Sequence, residues 1–270
     1  MKKINVCIAG ATGWIGKALT PAVLGSKDMN LTGAISRTYS GTKVKDFFEC
    51  YRTGLKFSSS VNDALMAETD VLIDYTSPEA VKFNVLYALK HGVSVVVGTS
   101  GLTDEDYADI DHMAKAQRLG VFAAGNFAIS AALLLHFSSI ATKYLPSWEI
   151  IDYASWEKVD SPSGTAYEIA NRLSSFRPPE VKITDETMSG IKGSRGANIR
   201  GNRVHSVRLP GFIIGTDVIF GGKDERLTMK FDAGTDPKTY VEGTLLAVRK
   251  VRAFTGLVRG LDKLLFNSHE

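Results

Sequence analysis

Three glycines, Gly10, Gly13 and Gly16, constrain this chain more than any other feature. They stand at G-x-x-G-x-x-G spacing between the apolar run "INVCIA" and a segment whose apolar positions Ile15, Leu19 and Val23 recur at helical intervals. A strand that turns sharply into a helix through glycines lets a pyrophosphate approach the main chain and the helix N-terminus. The pattern therefore predicts the first βα unit of a dinucleotide-binding sheet. A second strand, "LTGAIS", ends at Ser36, twenty residues after Gly16, and is followed by Arg37 and Thr38. An Asp or Glu there would bind a ribose 2′-hydroxyl. A small hydroxyl followed by Arg instead suits a 2′-phosphate, which favours NADPH, with NADH as the alternative.

Strand and helix continue to alternate. "DVLIDYTS" reads as a buried strand, "PEAVKFNVLYALKHG" as a helix opened by Pro78 and closed by Gly92, and "VSVVVGTSG" as a further buried strand. "TDEDYADIDHMAKAQRLG" reads as a helix and "VFAAGNFA" as a short strand. Apolar strands separated by helices imply a parallel sheet covered on both faces, with ligands at the carboxyl ends of the strands, where Thr76, the Gly98–Gly101 turn and Asn126 fall. From about residue 148 to 232 the pattern changes to β-like runs with one clear helix, and the tail "YVEGTLLAVRKVRAF" is helical again. The expected class is α/β: a Rossmann-type doubly wound parallel sheet over 1–126 and 238–270, and a central α+β substrate domain over 127–237 with a mostly antiparallel or mixed sheet.

Composition narrows the function. Lys plus Arg number 32 against 29 Asp plus Glu, a formal charge of +3 dispersed along the chain, which argues against nucleic acid and anionic membranes as partners. Cys7 and Cys50 are the only cysteines, without metal-ligand spacing, so both read as buried or idle thiols and no metal site is expected. The chain enters its first strand at Ile4 without a secretory segment, and no run approaches 18 apolar residues; a soluble cytoplasmic protein is expected.

A second stretch, "KVDSPSGTAYEIANRL", places Ala166, Ile169, Ala170 and Leu173 on one helical face. The residues before it form the helix start, with Ser163 or Thr165 as cap; Thr165 would make a capping box with Glu168. Orphan N–H groups there attract an anion, Gly164 lets it approach, and Lys158 adds a full positive charge. The competing reading is an ordinary capped helix with a solvated lysine.

The chain as a whole resembles the dihydrodipicolinate reductase family, the NAD(P)H-dependent enzymes of diaminopimelate and lysine biosynthesis. The likeness rests on "IAGATGWIG", "VLIDYTSPEAVKFNVLYALKHGVSVVVGTSGL", "GNFAISAALL", "KVDSPSGTA", "HSVRLPGF" and "EGTLLAVRKV", in the family's order. It implies a Rossmann domain completed by the C-terminal helix, and a homotetramer assembled through the central domain's sheet. It implies Lys158 as the catalytic residue, and Ser163, Gly164 and Thr165 as a cradle for a substrate carboxylate. The residues expected at the cofactor are Gly10, Thr12, Gly13, Trp14, Ile15, Ser36, Arg37, Thr38, Tyr75 and Thr76, with Gly98, Thr99, Ser100, Asn126 and Phe127 towards the nicotinamide.

Departures from the family are equally specific. Its E-x-H-H-x-x-K register reads here Asp152, Tyr153, Ala154, Ser155, Trp156, Glu157, Lys158, so both histidines are absent. Gly215 and Phe231 stand near the positions of two further family histidines, and Trp14 where the glycine loop often carries Arg. Hydride addition to C=N leaves negative charge unless a proton arrives, and Lys158 can supply one. Of His91, His112, His136, His205 and His269, only His205, just before Arg208, is a candidate second acid. The expected function is NADPH-dependent reduction of a C=N or conjugated imine bearing a carboxylate, nominally dihydrodipicolinate. The alternatives are a monocarboxylate imine reductase, an amino-acid dehydrogenase, and a non-catalytic cofactor-binding scaffold; Lys158 and the Pro-Ser-Gly-Thr run argue against the last.

Overall fold

The computed structural model describes residues 2–48, 53–65, 68–211 and 214–266, so Cys50 and His269 lie outside the described residues. In chain order the elements are β1 (Ile4–Ala9), α1 (Gly16–Gly25), β2 (Met29–Ile35), α2 (Val44–Phe47), α3 (Val61–Ala64), β3 (Val71–Asp74), α4 (Pro78–Lys90), β4 (Ser94–Val97), α5 (Asp104–Gln117), β5 (Gly120–Ala123) and α6 (Ile129–Ala141). Then come β6 (Ser147–Ala154), α7 (Gly164–Phe176), β7 (Ala197–Ile199), β8 (Asn202–Arg208), β9 (Ile214–Gly221), β10 (Arg226–Ala233), α8 (Val241–Lys250), β11 (Gly256–Arg259) and α9 (Leu261–Phe266). Two compact units result: Met1–Ile129 with Pro237–Glu270, and Ser130–Asp236.

The first unit holds a six-stranded sheet in the order β11-β5-β4-β3-β1-β2, parallel throughout. β3, β4 and β5 are buried along their whole length, which is why they read as apolar runs without alternation. On one face Cys7, Leu72, Val95 and Val121 pack with Val85 and Leu89 of α4 and Ile110 and Ala114 of α5. Val6, Ile8, Ile73, Val96 and Phe122 point to the other face, which α1 and α8 cover. The strand order reverses at β1, the location at which such sheets bind ligands.

Several elements differ from the sequence reading, among them the short helices α2, α3 and α9, which it does not name. β11 was not expected: the tail helix stops at Lys250, and "GLVR" pairs with β5 as a sixth strand. Four residues are too few to declare a period, and their stability comes from the neighbouring strand. Ser36 falls just beyond β2, and β5 stops at Ala123, before Gly125 and Asn126.

The second unit holds a mixed sheet in the order β10-β9-β6-β8-β7, in which β6 runs parallel to β8 and antiparallel to β9. β6 alternates strictly: Trp148, Ile150, Asp152 and Ala154 are buried on the face that α7 covers, and Glu149, Ile151 and Tyr153 are half-buried on the other. Ala166, Ile169, Ala170 and Leu173 of α7 are all buried. Among the described residues no helix is long and apolar enough to cross a membrane, and no cluster of His, Cys, Asp or Glu could hold a metal ion.

Candidate active site

In the first unit, the loop after β1 is built so that only glycine fits. Gly10 has φ +82°, and a Cβ there would lie 2.0 Å from the Tyr75 carbonyl oxygen; a Cβ on Gly16 would lie 2.0 Å from the carbonyl oxygen of Gly10. The Gly13 N–H donates to the Gly10 carbonyl (3.0 Å), closing the turn ahead of α1. Thr12 Oγ1 and Ser36 Oγ are 2.6 Å apart, and the Tyr39 N–H donates to Ser36 Oγ (3.3 Å). Ser36 is buried and ties the glycine loop to the end of β2, whereas Arg37 and Thr38 are exposed. Trp14 stands out from the loop with its ring edge-on to Tyr240 at 5.7 Å, and Ile15 is half-buried. Tyr240 is buried, and its hydroxyl has no hydrogen-bond partner among the described residues.

A residue that sequence reasoning passed over organises the ends of β3 and β4. Asp74, fully buried, accepts with one carboxylate oxygen from the Thr76 N–H (3.1 Å), Thr76 Oγ1 (2.7 Å) and Thr99 Oγ1 (2.6 Å). Its other oxygen accepts from Asn84 Nδ2 of α4 (2.8 Å). The signal was available, since an Asp inside an otherwise apolar strand must be paired.

The remaining cofactor candidates have more structural settings than the sequence suggested. The Tyr75 hydroxyl is hydrogen-bonded to Thr244 Oγ1 (2.8 Å), and burial holds the phenol above its ordinary pKa. Its ring lies under the Gly98 turn, where a Cβ would come within 2.0 Å of it. The Phe127 ring is buried between Tyr75 and Phe122, both at 5.9 Å. Asn126 Oδ1 accepts from the Ala128 N–H (2.8 Å), and Ser100 is exposed.

In the second unit, Ser163 is the cap of α7. Its backbone is extended and its Oγ accepts from the Ala166 N–H (3.2 Å), which places Thr165 inside the helix and excludes it as the cap. A capping box does exist, at Thr103 and Asp106 of α5. The Ser163 side chain is turned inward: its Oγ donates to Asp152 Oδ1 (2.6 Å) and its N–H to Asp152 Oδ2 (2.8 Å). Gly164 is exposed, with nothing within 4 Å of where a Cβ would stand. Lys158 Nζ lies 2.7 Å from Asp160 Oδ1. Burial works against ionisation of Asp160, but the hydrogen bond and charge of Lys158 outweigh it, and its carboxyl sits below the ordinary value.

His205 does not join this group. Its Nε2 lies 2.7 Å from Glu149 Oε2, while the other oxygen of that carboxylate, Oε1, meets Arg195. Strand alternation separates His205 from Ser206 and Arg208, which reach Asp152 on the other face. Tyr153 likewise faces away, its hydroxyl donating to Asp217 (3.2 Å). His91 stacks on Tyr87 (ring centroids 4.1 Å apart) and His136 lies edge-on to Phe137.

The family model described as dihydrodipicolinate reductase, N-terminus, matches residues 4–127, and that described as dihydrodipicolinate reductase, C-terminus, matches residues 130–265. The chain belongs to the dihydrodipicolinate reductase family. Among its relatives, the 4-hydroxy-tetrahydrodipicolinate reductase of Desulfitobacterium hafniense is 39% identical over 98% of this chain and 100% of its own length. That of Lactiplantibacillus plantarum is 36% identical over 97% and 100%. A solved dipicolinate-bound dihydrodipicolinate reductase from Paenisporosarcina sp. TG-14 is 29% identical, with a TM-score of 0.79 over 97% of this chain and 99% of that one. An amine dehydrogenase from Mycobacterium smegmatis has a TM-score of 0.67 at 13% identity, a likeness of fold alone. Ala154, fully buried, and Ser155 follow Asp152 and Tyr153 at the end of β6.

Proposed function

We propose that the chain is an NADPH-dependent reductase of 4-hydroxy-tetrahydrodipicolinate. The observation that carries the reading is Lys158, an ammonium in the loop that leads into the exposed start of α7, in a chain whose other unit holds the glycine loop. A nicotinamide cofactor supplies the hydride. The residues that would hold it are the Gly10–Gly16 loop, the segment Ser36 to Thr38, and the Thr76, Gly98 to Ser100 and Asn126 turns at the strand ends. The closely packed glycines and the unpartnered Tyr240 hydroxyl beside Trp14 fit a large polar ligand at that edge of the sheet.

On the substrate side, the N-terminus of α7 attracts a carboxylate, with Gly164 giving close access to the main chain. The Ser163 hydroxyl, which donates to Asp152, acts from behind by fixing the first turn. Lys158 delivers a proton to the nitrogen or carbon that becomes electron-rich as the double bond is reduced, and its positive charge offsets the developing negative charge. Asp160 holds the ammonium until a ligand carboxylate competes for it. Arg37, exposed after the buried Ser36, is the group that would favour a 2′-phosphate. A homotetramer formed through the mixed sheet and a cytoplasmic location belong to the same reading and rest on the family resemblance.

The test is NADPH oxidation with freshly generated 4-hydroxy-tetrahydrodipicolinate. Turnover that saturates with substrate is expected, with NADPH raising the melting temperature more than NADH does at equal concentration. Oxidation with a monocarboxylate imine and none with the dicarboxylate would overturn the substrate assignment. Absence of turnover with both would overturn the reductase.

A further inference from the structure

The second unit contains a buried charge pair that the proposed reaction does not use directly. Asp152, fully buried at the end of β6, faces Arg208 at the end of β8, with Arg208 Nη2 2.7 Å from Asp152 Oδ2. The same guanidinium donates from Nη1 to the main-chain carbonyls of Asp152 (3.2 Å) and Val207 (3.0 Å), and from Nη2 to the carbonyl of Asp160 (2.9 Å). The Asp152 carboxylate accepts from the N–H and Oγ of Ser163 and, at 3.3 Å, from Ser206 Oγ.

These contacts tie the loop between β6 and α7 to the paired ends of β6 and β8. The loop between β6 and α7 is largely exposed, with Trp156 at 66% and Val159 at 100%. Its internal bonds are local: the Lys158 N–H to the Ser155 carbonyl and the Glu157 N–H to Ser155 Oγ. Such a segment opens readily unless something ties it to the core. Arg208 provides a tie at the Asp160 carbonyl, and the Asp160 side chain in turn carries the Lys158 ammonium. Asp152, bonded to that same Arg208, fixes the cap of α7. One buried ion pair thus sets both the proton donor and the carboxylate-binding helix end.

Burying two charges is costly, and an apolar pair of the same volume would often stabilise a fold as well or better. A guanidinium fork, however, can hold a carboxylate and three separate carbonyls at fixed angles, which Lys cannot do. We propose that Asp152 and Arg208 are positioning residues, whose function is to hold Lys158 in register with the start of α7. The proposal rests on the reductase reading for its kinetic consequences and on the geometry alone for its structural ones.

The experiment compares wild type with Arg208→Lys, Arg208→Ala and Asp152→Asn by hydrogen–deuterium exchange, by calorimetric binding of pyridine-2,6-dicarboxylate and NADPH, and by steady-state kinetics. For the Arg208 variants, amides of residues 156–162 should exchange at least about tenfold faster while β1 and α1 are unchanged. kcat should fall by about 10- to 100-fold, the cost of displacing a reacting group by about 1 Å, with NADPH affinity within about twofold and partial recovery of the Arg208→Ala rate by added guanidinium ion. Asp152→Asn should in addition weaken pyridine-2,6-dicarboxylate binding, because it disturbs the α7 cap. A merely structural pair would lower the melting temperature without changing kcat measured well below it, and that result would overturn the proposal. So would unchanged exchange at 156–162 in folded Arg208→Lys. If the wild type reduces neither imine yet the loop loosens in the variants, the reductase reading fails and the positioning of Lys158 stands.

Discussion

Removing the Asp74 carboxylate tests how the first unit shapes the ends of β3 and β4. Asp74 is completely buried and accepts four hydrogen bonds: from the Thr76 amide and hydroxyl, the Thr99 hydroxyl and the Asn84 carboxamide. A hydrogen bond to a charged group contributes about 1.5–3 kcal/mol. Four sharing one carboxylate do not add, because they stand or fall together. Breaking a buried charged network by removing one partner costs about 3–5 kcal/mol, so Asp74→Ala should lose about 4 kcal/mol in the unit that contains it. For a domain of this size that is a fall of about 8–16 °C in melting temperature. Asp74→Asn keeps the volume and one acceptor but sets an NH2 group against the Asn84 NH2, and should lose about 1–3 kcal/mol. Urea titration and calorimetry measure both. With Asn84 already replaced by Ala, the Asp74→Ala penalty should shrink by about 1 kcal/mol or more, since the two losses overlap. An Asp74→Ala penalty below about 1 kcal/mol, or full additivity with Asn84→Ala, would refute the reasoning.

Lys158→Ala should abolish turnover while leaving NADPH affinity within about twofold, read by stopped-flow and by fluorescence titration; an undiminished rate would eliminate Lys158 as the acid. Gly16→Ala forces a Cβ to within 2.0 Å of the Gly10 carbonyl oxygen and 2.7 Å of the Ala11 carbonyl carbon, and should cost about 1–3 kcal/mol of stability together with most of the NADPH-induced thermal shift. Asp28 is held well below the ordinary carboxylate pKa, first by its hydrogen bond from Arg249 and then by that from Ser26. A depressed carboxylate stabilises above its unfolded pKa of about 4 and loses that contribution as the pH falls. The urea midpoint of Asp28→Asn should therefore trail wild type at pH 7, with the gap closing below about pH 4.

Much of the fold could be read from the chain because the signals were local and repeated. Gly10 and Gly16 between strand and helix mark a turn that tolerates no Cβ, and the uniformly apolar β3, β4 and β5 announced a sheet covered on both faces. The apolar face of α7 gave its position to within a residue or two, and the likeness to the dihydrodipicolinate reductases pointed to Lys158. β11 escaped because a four-residue strand has no period of its own. Ser163 and Thr165 could not be separated as caps because the choice depends on φ, ψ and on Asp152, eleven residues upstream.

The order of residues by itself determined which segments bury, which turns need glycine, and where the α7 helix starts, since each follows from chemistry within a few neighbouring positions. Only the tertiary structure decided that His205 is drawn to Glu149, that Asp74 joins two strand ends to α4, and that Arg208 reaches the loop of Lys158. Those outcomes depend on strand pairing between distant segments, and no local pattern encodes which side chains a register will bring within 3 Å.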